Sequence, residues 1–249
     1  MDSVSPSPLS LVAADLLAMC RDRKPSVHCV TSPVAQNLTA NLLLACGAEP
    51  SLSVAPGEIE AFASKADGFL VNLGMVDEER ERGIESALPI LADRAVPWVL
   101  DPVKVERSAA RDRFAQTLLR WHPRVIRANR SEMAHLRSWA ELARMDAVIA
   151  ETGAVDQVRH GGESWQIDRG HPLMTRVTAL GCAGGALSAA FVALDADAGR
   201  ATAAALLVLA VAGEIAAEHS AGPGSFQAAY LDALYGLEAE ALLAGEDRP

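Results

Sequence analysis

Short apolar runs alternate with longer stretches of helical spacing as far as Gly153. Apolar runs of about four to six residues bounded by turn-forming residues are typical of buried strands, and apolar positions three or four apart are typical of helices. This pattern predicts strands at 26–31, 51–55, 68–74, 97–102, 124–129 and 146–153. It predicts helices at 34–46, 56–65, 77–94, 111–121 and 130–144.

Strands that are apolar throughout and separated by helices indicate a mostly parallel sheet with helices on both faces. After Gly153 the segment 154–170 alternates around a Gly-Gly pair, which predicts an antiparallel hairpin at the sheet edge. From Cys182 onward the pattern predicts three successive helices, the last beginning near Ser225 after "AGPGS". No linker, charge block or repeat interrupts this order, so we expect a single domain over 1–249, with residues 1–8 as a flexible N-terminal tail.

Composition narrows the classes of partner. Half of the residues are hydrophobic and 4% are aromatic, so the core consists mainly of Ala, Leu and Val. A net charge of −10 argues against nucleic-acid binding but leaves room for a phosphate-bearing small ligand. The N-terminus lacks the basic region of a secretory signal. The apolar run 201–213 is shorter than the ~18 residues that a membrane span requires. We therefore expect a buried helix there and a cytoplasmic protein without a membrane partner.

The four cysteines are far apart along the chain, with no C-x-x-C pair and no clustered histidines. That spacing argues against a zinc site and favours reduced thiols.

Polar residues collect at the carboxyl ends of the predicted strands, where open parallel sheets bind ligands. They are Thr31, Ser32, Asn72, Asp101, Arg127, Asn129, Thr152 and Gly153. Each is ordinary alone, since Asp before Pro suits a turn and Asn129 suits a helix N-cap. Their joint placement predicts a ligand cleft.

The candidate chemistry of this cleft is phosphate and metal binding. Asp101 and Glu132 are carboxylates of the kind that Mg²⁺ takes directly or through water, and Arg127 offers a fixed fork of donors to phosphate. A helix beginning at Gly181 and Cys182 directs free N–H groups at an anion. The same field is expected to lower the pKa of the Cys182 thiol and make it a base or proton relay. The simpler alternative is that Cys182 fills a tight corner.

Taken together, these residues resemble the hydroxyethylthiazole kinase family, the thiamine-salvage branch of the ribokinase-like fold. The matching pieces occur in order between 25 and 237: "VHCVTSPVAQNLTANLLLACGAEP", "FLVNLG", "VPWVLDPV", "VIRANRSEM", "VIAETGAVD", "GHPLMTRVT-LGC" and "AGPGSFQAAYLDALY". The resemblance implies a three-layer α/β/α fold and transfer of the ATP γ-phosphate to the primary alcohol of 4-methyl-5-(2-hydroxyethyl)thiazole. It also implies Mg²⁺ dependence and a homotrimer with the thiazole site between subunits.

Carried over by position, the resemblance also implies roles for individual residues. ATP contacts fall on Arg127, Thr152, Asn129 and Gly153. Support of the metal and the phosphates falls on Asp101 and Glu132. Cys182 stands at the acceptor hydroxyl, with Gly181 beside it at the helix start. Substrate contacts fall on Leu52, Ala179 and Asn37, the last within the family's "N-x-T-A-N" stretch.

Several motifs depart from the family pattern: "TN" after the first strand is here Thr31-Ser32, "GN" is Ala128-Asn129, and a methionine is Leu52. Two further departures fall at the expected anion hole and glycine loop. The family's G-[TA]-G-C is here Ala179-Leu180-Gly181-Cys182, which places an alanine where glycine's conformational freedom is useful and adds the bulk of Leu180 beside the anion hole. The family's "DPVGAG" is here "DPVKVE", so a glycine loop becomes 104–106. These departures leave two alternatives open: a kinase of the same fold for another small alcohol, or a nucleotide- or thiazole-binding homologue with weak catalysis.

Two other enzyme classes lack their motifs. A dinucleotide-dependent oxidoreductase needs a glycine-rich turn after the first strand, where "VTSPVAQN" has no glycine. A serine hydrolase of the α/β type needs a G-x-S-x-G elbow, which the chain also lacks.

Overall fold

The computed structural model describes residues 8–55 and 57–244, which are organised around an eight-stranded sheet. The strands are β1 (Ser26–Val30), β2 (Glu49–Ser51), β3 (Gly68–Asn72), β4 (Trp98–Asp101), β5 (Val125–Asn129), β6 (Val148–Thr152), β7 (Asp156–His160) and β8 (Glu163–Ile167). The helices are α1 (Pro8–Arg23), α2 (Pro33–Ala45), α3 (Glu58–Ala63), α4 (Glu78–Asp93), α5 (Ala109–Leu118), α6 (Arg130–Leu136), α7 (Leu180–Val192), α8 (Ala198–Glu218), α9 (Pro223–Tyr235) and α10 (Ala239–Leu243).

The strand order across the sheet is β2-β1-β3-β4-β5-β6-β7-β8. The strands β1 to β6 run parallel, and β7 and β8 form an antiparallel hairpin at one edge. The predicted parallel sheet and its edge hairpin are therefore confirmed.

Helices cover both faces of the sheet, and alternate strand residues serve the two sides. Leu70, Val99 and Val125 pack with α1, α2 and α7 to α10. Phe69 and Leu100 pack with α3 to α6. Because successive side chains of a strand point to opposite faces, a strand that is apolar throughout can supply both cores. The result is the three-layer α/β/α arrangement that the sequence predicts.

The long apolar helix α8 lies inside one of these cores. It has 21 residues, and 78% of its most apolar window is buried. The buried helix that the sequence predicts is confirmed, and it runs from Ala198 to Glu218. Past the apolar run, Glu214 lies within the helix and forms a salt bridge with Arg169 (2.6 Å). By length and composition alone α8 would suffice to cross a membrane, a test that buried core helices also pass.

Two predicted elements have different bounds in the structure. The predicted strand 51–55 was wrong, since β2 ends at Ser51 and the segment beyond it leaves the sheet. His28 holds that segment, with Nδ1 2.7 Å from Ser51 Oγ and Nε2 2.8 Å from the Ser53 carbonyl. The predicted helix 130–144 stops at Leu136. The Ser138 hydroxyl donates to a carbonyl of the last turn, a bond that competes with helix propagation.

The two ends of the chain also differ from prediction. Helix α1 was not predicted; residues 1–7 of the expected tail lie outside the described residues, and Pro8 already begins α1. Four helices instead of three follow the hairpin in the described part of the chain, because the short α10 comes after α9. Helix α7 begins at Leu180, two residues before the predicted start.

Candidate functional site

Four buried polar side chains form a row across the sheet at the carboxyl ends of β1, β3, β4 and β5. We call Thr31, Asn72, Asp101 and Arg127 the polar row; they are 0%, 1%, 4% and 8% exposed. Asn72 pairs with Asp101 in register, and the pairing of Leu100 with Ile126 places Asp101 beside Arg127. Since side chains alternate along each strand, the row shares the face that packs under α7.

Three members of the row carry a buried polar atom without a hydrogen-bond partner among the described residues. These atoms are Thr31 Oγ1, Asn72 Nδ2 and Arg127 Nε. A buried polar group without a partner is costly and rare in folded proteins. Their concentration at the carboxyl ends of the strands indicates a site in which a bound ligand or water supplies the missing hydrogen-bond partners.

Asp101 and Arg127 form a buried ion pair at the centre of the row, with Arg127 Nη1 3.2 Å from Asp101 Oδ2. The pKa of Asp101 is raised to about 6, mainly because the carboxyl is buried; the Arg127 guanidinium opposes this shift and the nearby Glu132 carboxylate adds to it. Helix α7 lies directly over the pair. A Cβ on Gly184 would lie 3.3 Å from Arg127 Nη2, and one on Gly185 3.8 Å from Asp101 Oδ2. The two glycines inside the helix therefore allow its close approach.

The start of α7 is open towards the ligand side. Ala183 N–H bonds back to the Ala179 carbonyl (2.9 Å), so the amides of the three residues between them have no partner within the helix. A side chain at Gly181 would meet no atom within 4 Å. The Leu180 side chain is buried in the core, so the expectation that it crowds the anion hole was wrong.

Ala179 stands where the family has a glycine, and its backbone adopts a conformation that favours glycine. Its φ is +67°, in the left-handed region where a Cβ is unfavourable. Lys104, in the loop after β4, also has a positive φ of +53°. Ala179 and Lys104, which both stand where the family has a glycine, thus keep a backbone conformation that favours glycine.

The pKa of Cys182 is shifted upwards, whereas the sequence predicts a downward shift. Burial, followed by the Asp101 carboxylate, raises the pKa of the Cys182 thiol to about 11; Asn72 and Arg127 oppose these effects. The helix N-terminus therefore does not produce a lowered pKa, because the loss of water and the nearby negative charge outweigh its field. Cys182 is a neutral thiol at neutral pH.

Glu132 has a structural role that the sequence reading missed. Its Oε2 accepts from Asn129 N–H (2.8 Å), and the Asn129 side chain accepts from Glu132 N–H (3.0 Å), which forms a capping box at the start of α6. Its Oε1 accepts from Lys104 N–H at 2.7 Å. Glu132 thus fastens the loop after β4 next to Asp101.

The neighbouring end of β6 brings in a further carboxylate. Thr152 ends the strand, and Gly153 N–H donates to Asp156 Oδ1 at 2.8 Å. Burial raises the pKa of Asp156, while that amide and the charge of Arg127 lower it. Asp156 was not among the predicted site residues, although it stands in the "VIAETGAVD" stretch.

Two predicted substrate residues lie further from the row. Asn37 is exposed on α2, where its carbonyl and side-chain oxygens accept from Asn41 Nδ2 (3.0 and 3.1 Å). Leu52 is half-buried against the core that includes α7. The structure brings together Asp101, Arg127 and Cys182, but within its described part no hydrogen bond or ion pair ties Asn37 to them.

The described residues contain no group of three or more His, Cys, Asp or Glu side chains arranged to hold a metal ion. A cavity of about 430 Å³ lies at the amino ends of β4 and β5, among Trp98, Trp121 and Arg124. It contains none of the predicted site residues.

Comparison with known proteins agrees with the geometry. The sequence model of the hydroxyethylthiazole kinase family matches residues 17–145 and 139–240. A probable hydroxyethylthiazole kinase of Agrobacterium fabrum is 39% identical over 236 residues, which cover 95% of this chain and 94% of that protein. The structure of the hydroxyethylthiazole kinase protein from Pyrococcus horikoshii superposes with a TM-score of 0.85 at 33% identity, covering 92% of this chain and 94% of that one.

A more distant structure supports the fold alone. A ribokinase-like superfamily protein of Enterococcus faecalis superposes with a TM-score of 0.55 at 12% identity, over 91% of this chain and 95% of that one. With family matches spanning nearly all of its length, the chain belongs to the hydroxyethylthiazole kinase family.

Proposed function

We propose that this chain transfers the γ-phosphoryl group of ATP to the primary alcohol of 4-methyl-5-(2-hydroxyethyl)thiazole, a step of thiamine salvage. Family membership supports the reaction. The observation that carries it is the polar row, whose unpartnered buried atoms lie beneath the open start of α7. Backbone N–H groups at a helix start and a buried guanidinium are suited to hold a transferring phosphoryl group.

The nucleotide half of the site lies at the ends of β5 and β6. Arg127, Thr152, Asn129 and Gly153 are its proposed contacts. Arg127 Nε has no partner among the described residues, so the guanidinium retains a donor for phosphate while Nη1 keeps its ion pair. Phosphoryl transfer depends mainly on positioning and electrostatic stabilisation, and both follow from this arrangement.

In the reaction, the alcohol oxygen forms a bond to the γ-phosphorus and the bond from that phosphorus to the bridging oxygen of ADP breaks. The hydroxyl proton leaves to a base. With its pKa near 11, Cys182 is not that base; it lines the acceptor position as a neutral thiol next to Gly181. Asp101, with a pKa of about 6, is ionised at neutral pH and is the proposed proton acceptor.

The carboxylates fit a Mg²⁺ ion that arrives with ATP better than a resident ion. Both Glu132 oxygens accept backbone N–H groups and Asp101 is paired with Arg127, so direct coordination by several protein groups is not available. Mg²⁺ keeps waters and binds through substrate phosphates with one or two carboxylates. We propose that Asp101 and Glu132 act on it through water. When bound, the ion neutralises charge on the phosphates.

The assembly and location follow the family. We propose a homotrimer with sites between subunits, built from a single domain over 1–249 and working in the cytoplasm. Exposed apolar side chains near the carboxyl ends of the strands support the interface: Val34 at the start of α2 is 55% exposed and Met75, shortly after β3, is 60% exposed.

The test is ADP release from Mg-ATP with and without the thiazole alcohol. Arg127→Gln is expected to abolish thiazole-stimulated release. Arg124→Gln is the matched control, because Arg124 lies at the amino end of β5, away from the carboxyl end where the site lies. Equal release by the two variants would contradict the assignment of the site.

One alternative has a specific observation in its favour. The left-handed Ala179 places a methyl group at the start of α7, which favours a different small alcohol as acceptor. Stimulation of ADP release by another primary alcohol, and not by the thiazole, would establish that alternative. Nucleotide binding without turnover of any acceptor would indicate a binding protein with weak catalysis.

A further inference from the structure

The side-chain amide of Asn72 is fixed in orientation. The residue is 1% exposed and stands beside Asp101 in the register of β3 and β4. Its Oδ1 accepts from Gly74 N–H at 3.1 Å. A Cβ on Gly74 would lie 3.0 Å from the same oxygen, so the tight turn after β3 depends on a small residue there. With Oδ1 engaged, Nδ2 is directed away from that turn.

Asn72 Nδ2 lies between two groups of the reaction centre. The amide opposes the raised pKa values of both Asp101 and Cys182, so it lies close to the carboxylate and to the thiol. Neither contact has the geometry of a hydrogen bond, and Nδ2 has no partner among the described residues. A buried amide donor without an acceptor is destabilising. Nδ2 is therefore a buried donor that a ligand acceptor placed between the carboxylate and the thiol can satisfy.

The groups on either side of this position define what fits. An amide N–H only donates, and an ionised carboxylate only accepts. A hydroxyl can accept from the first and donate to the second at the same time, whereas an ether lacks the hydrogen and an ammonium lacks the lone pair. Asn72 and Asp101 thus form a donor and acceptor pair that is complementary to an alcohol.

We propose that Asn72 Nδ2 is the donor that recognises the acceptor hydroxyl, which it holds between Asp101 and Cys182. This assignment rests on the proposed function and adds the residue that selects its substrate class. The hydroxyl accepts from Nδ2 and directs its own hydrogen to the Asp101 carboxylate, which leaves an oxygen lone pair for the phosphoryl group.

The test compares ligands that differ only at this group. Dissociation constants of 4-methyl-5-(2-hydroxyethyl)thiazole and 4-methyl-5-ethylthiazole are measured calorimetrically with protein saturated with Mg-ADP. The wild type is expected to prefer the hydroxyl compound by about three- to tenfold, the range of one hydrogen bond. Asn72→Leu, similar in shape, is expected to bind both equally. Thr202→Val is the control: a buried hydroxyl on α8, bonded within its own helix, that is expected to keep the wild-type preference.

A second variant keeps the test decisive if Asn72→Leu does not fold. Asn72→Asp retains an acceptor for Gly74 N–H and replaces the Nδ2 donor by a charge. It is expected to bind the 2-aminoethyl analogue, an ammonium, more tightly than the wild type does.

The outcomes separate this proposal from the proposed function. Loss of the preference in Asn72→Leu, or the gain in Asn72→Asp, supports the role of Asn72. An unchanged preference in a folded Asn72→Leu protein, no gain in Asn72→Asp, or equal wild-type binding of the hydroxyethyl and ethyl compounds would overturn it, while thiazole phosphorylation would stand. A wild type that binds neither compound would overturn both.

Discussion

Replacing Ala179 by glycine is expected to stabilise the protein, which is the reverse of what glycine does inside a helix. Ala179 has φ +67° directly before α7. A left-handed non-glycine residue costs roughly 1–2 kcal/mol, and the added freedom of glycine in the unfolded chain offsets about 0.5–1 kcal/mol of that gain. The net expectation for Ala179→Gly is about 0.5–1 kcal/mol of added stability, or about 1–3 °C in Tm.

Two matched alanines calibrate this expectation. Ala95 follows α4 with φ +53° on the far side of the sheet, and Ala95→Gly is expected to stabilise by a similar amount. Ala228 is exposed in the middle of α9, and Ala228→Gly is expected to destabilise by about 0.5–1 kcal/mol. Urea unfolding of the three variants gives the comparison. Destabilisation by Ala179→Gly of the size seen for Ala228→Gly would refute the argument that the backbone at the start of α7 is strained.

Four further expectations concern α7 and the residues that lie against it. Gly68→Ala is expected to lose about 2 kcal/mol or more in urea unfolding, since its Cβ would lie 2.4 Å from a carbonyl oxygen of α7. Gly181→Ala, with open space around its Cβ, is expected to keep wild-type stability while losing phosphoryl transfer; a stability loss equal to that of Gly68→Ala would contradict this. Alkylation of Cys182, the one cysteine of the described residues that is not buried, is expected to accelerate up to about pH 11, and a plateau near pH 9 would contradict its raised pKa. Because the pKa of Asp101 is raised to about 6, the folded state binds its proton more tightly than the unfolded state. The stability of the ligand-free protein is therefore expected to fall from about pH 4 to pH 6, and Asp101→Asn, measured by urea unfolding at each pH, is expected to show a smaller fall.

The elements that sequence predicted well are those whose apolar pattern alone determines burial. The strand 68–74 and the helix 77–94 are examples, since both match β3 and α4 closely. The segment 51–55 was misassigned because it leaves the sheet after Ser51, where His28 bonds to Ser51 and Ser53. These contacts join positions more than 20 residues apart, and no local pattern contains them. At the early end of α6 the competing bond is local: the Ser138 hydroxyl donates to the His135 carbonyl, three residues earlier.

The sequence predicts only part of the candidate site. Asn72, Asp101 and Arg127 were placed by the rule that parallel strands present ligands at their carboxyl ends, and the structure brings them together. The pKa of Cys182 was mispredicted because burial and the Asp101 charge depend on tertiary packing. Sequence identified both Asn129 as a helix cap and Glu132 as an acid. Their mutual bonds appear only when the loop after β4 is seen against α6.

The central claim is that the polar row beneath α7 transfers phosphate from ATP to a thiazole alcohol. The most direct measurement is ³¹P NMR of the purified protein with Mg-ATP and 4-methyl-5-(2-hydroxyethyl)thiazole, with Arg127→Gln and Arg124→Gln run in parallel. We expect a phosphate monoester resonance to grow in step with ADP for the wild type and Arg124→Gln, and to be absent for Arg127→Gln. ATP that stays intact, or ADP that forms with inorganic phosphate and no monoester, would contradict the account.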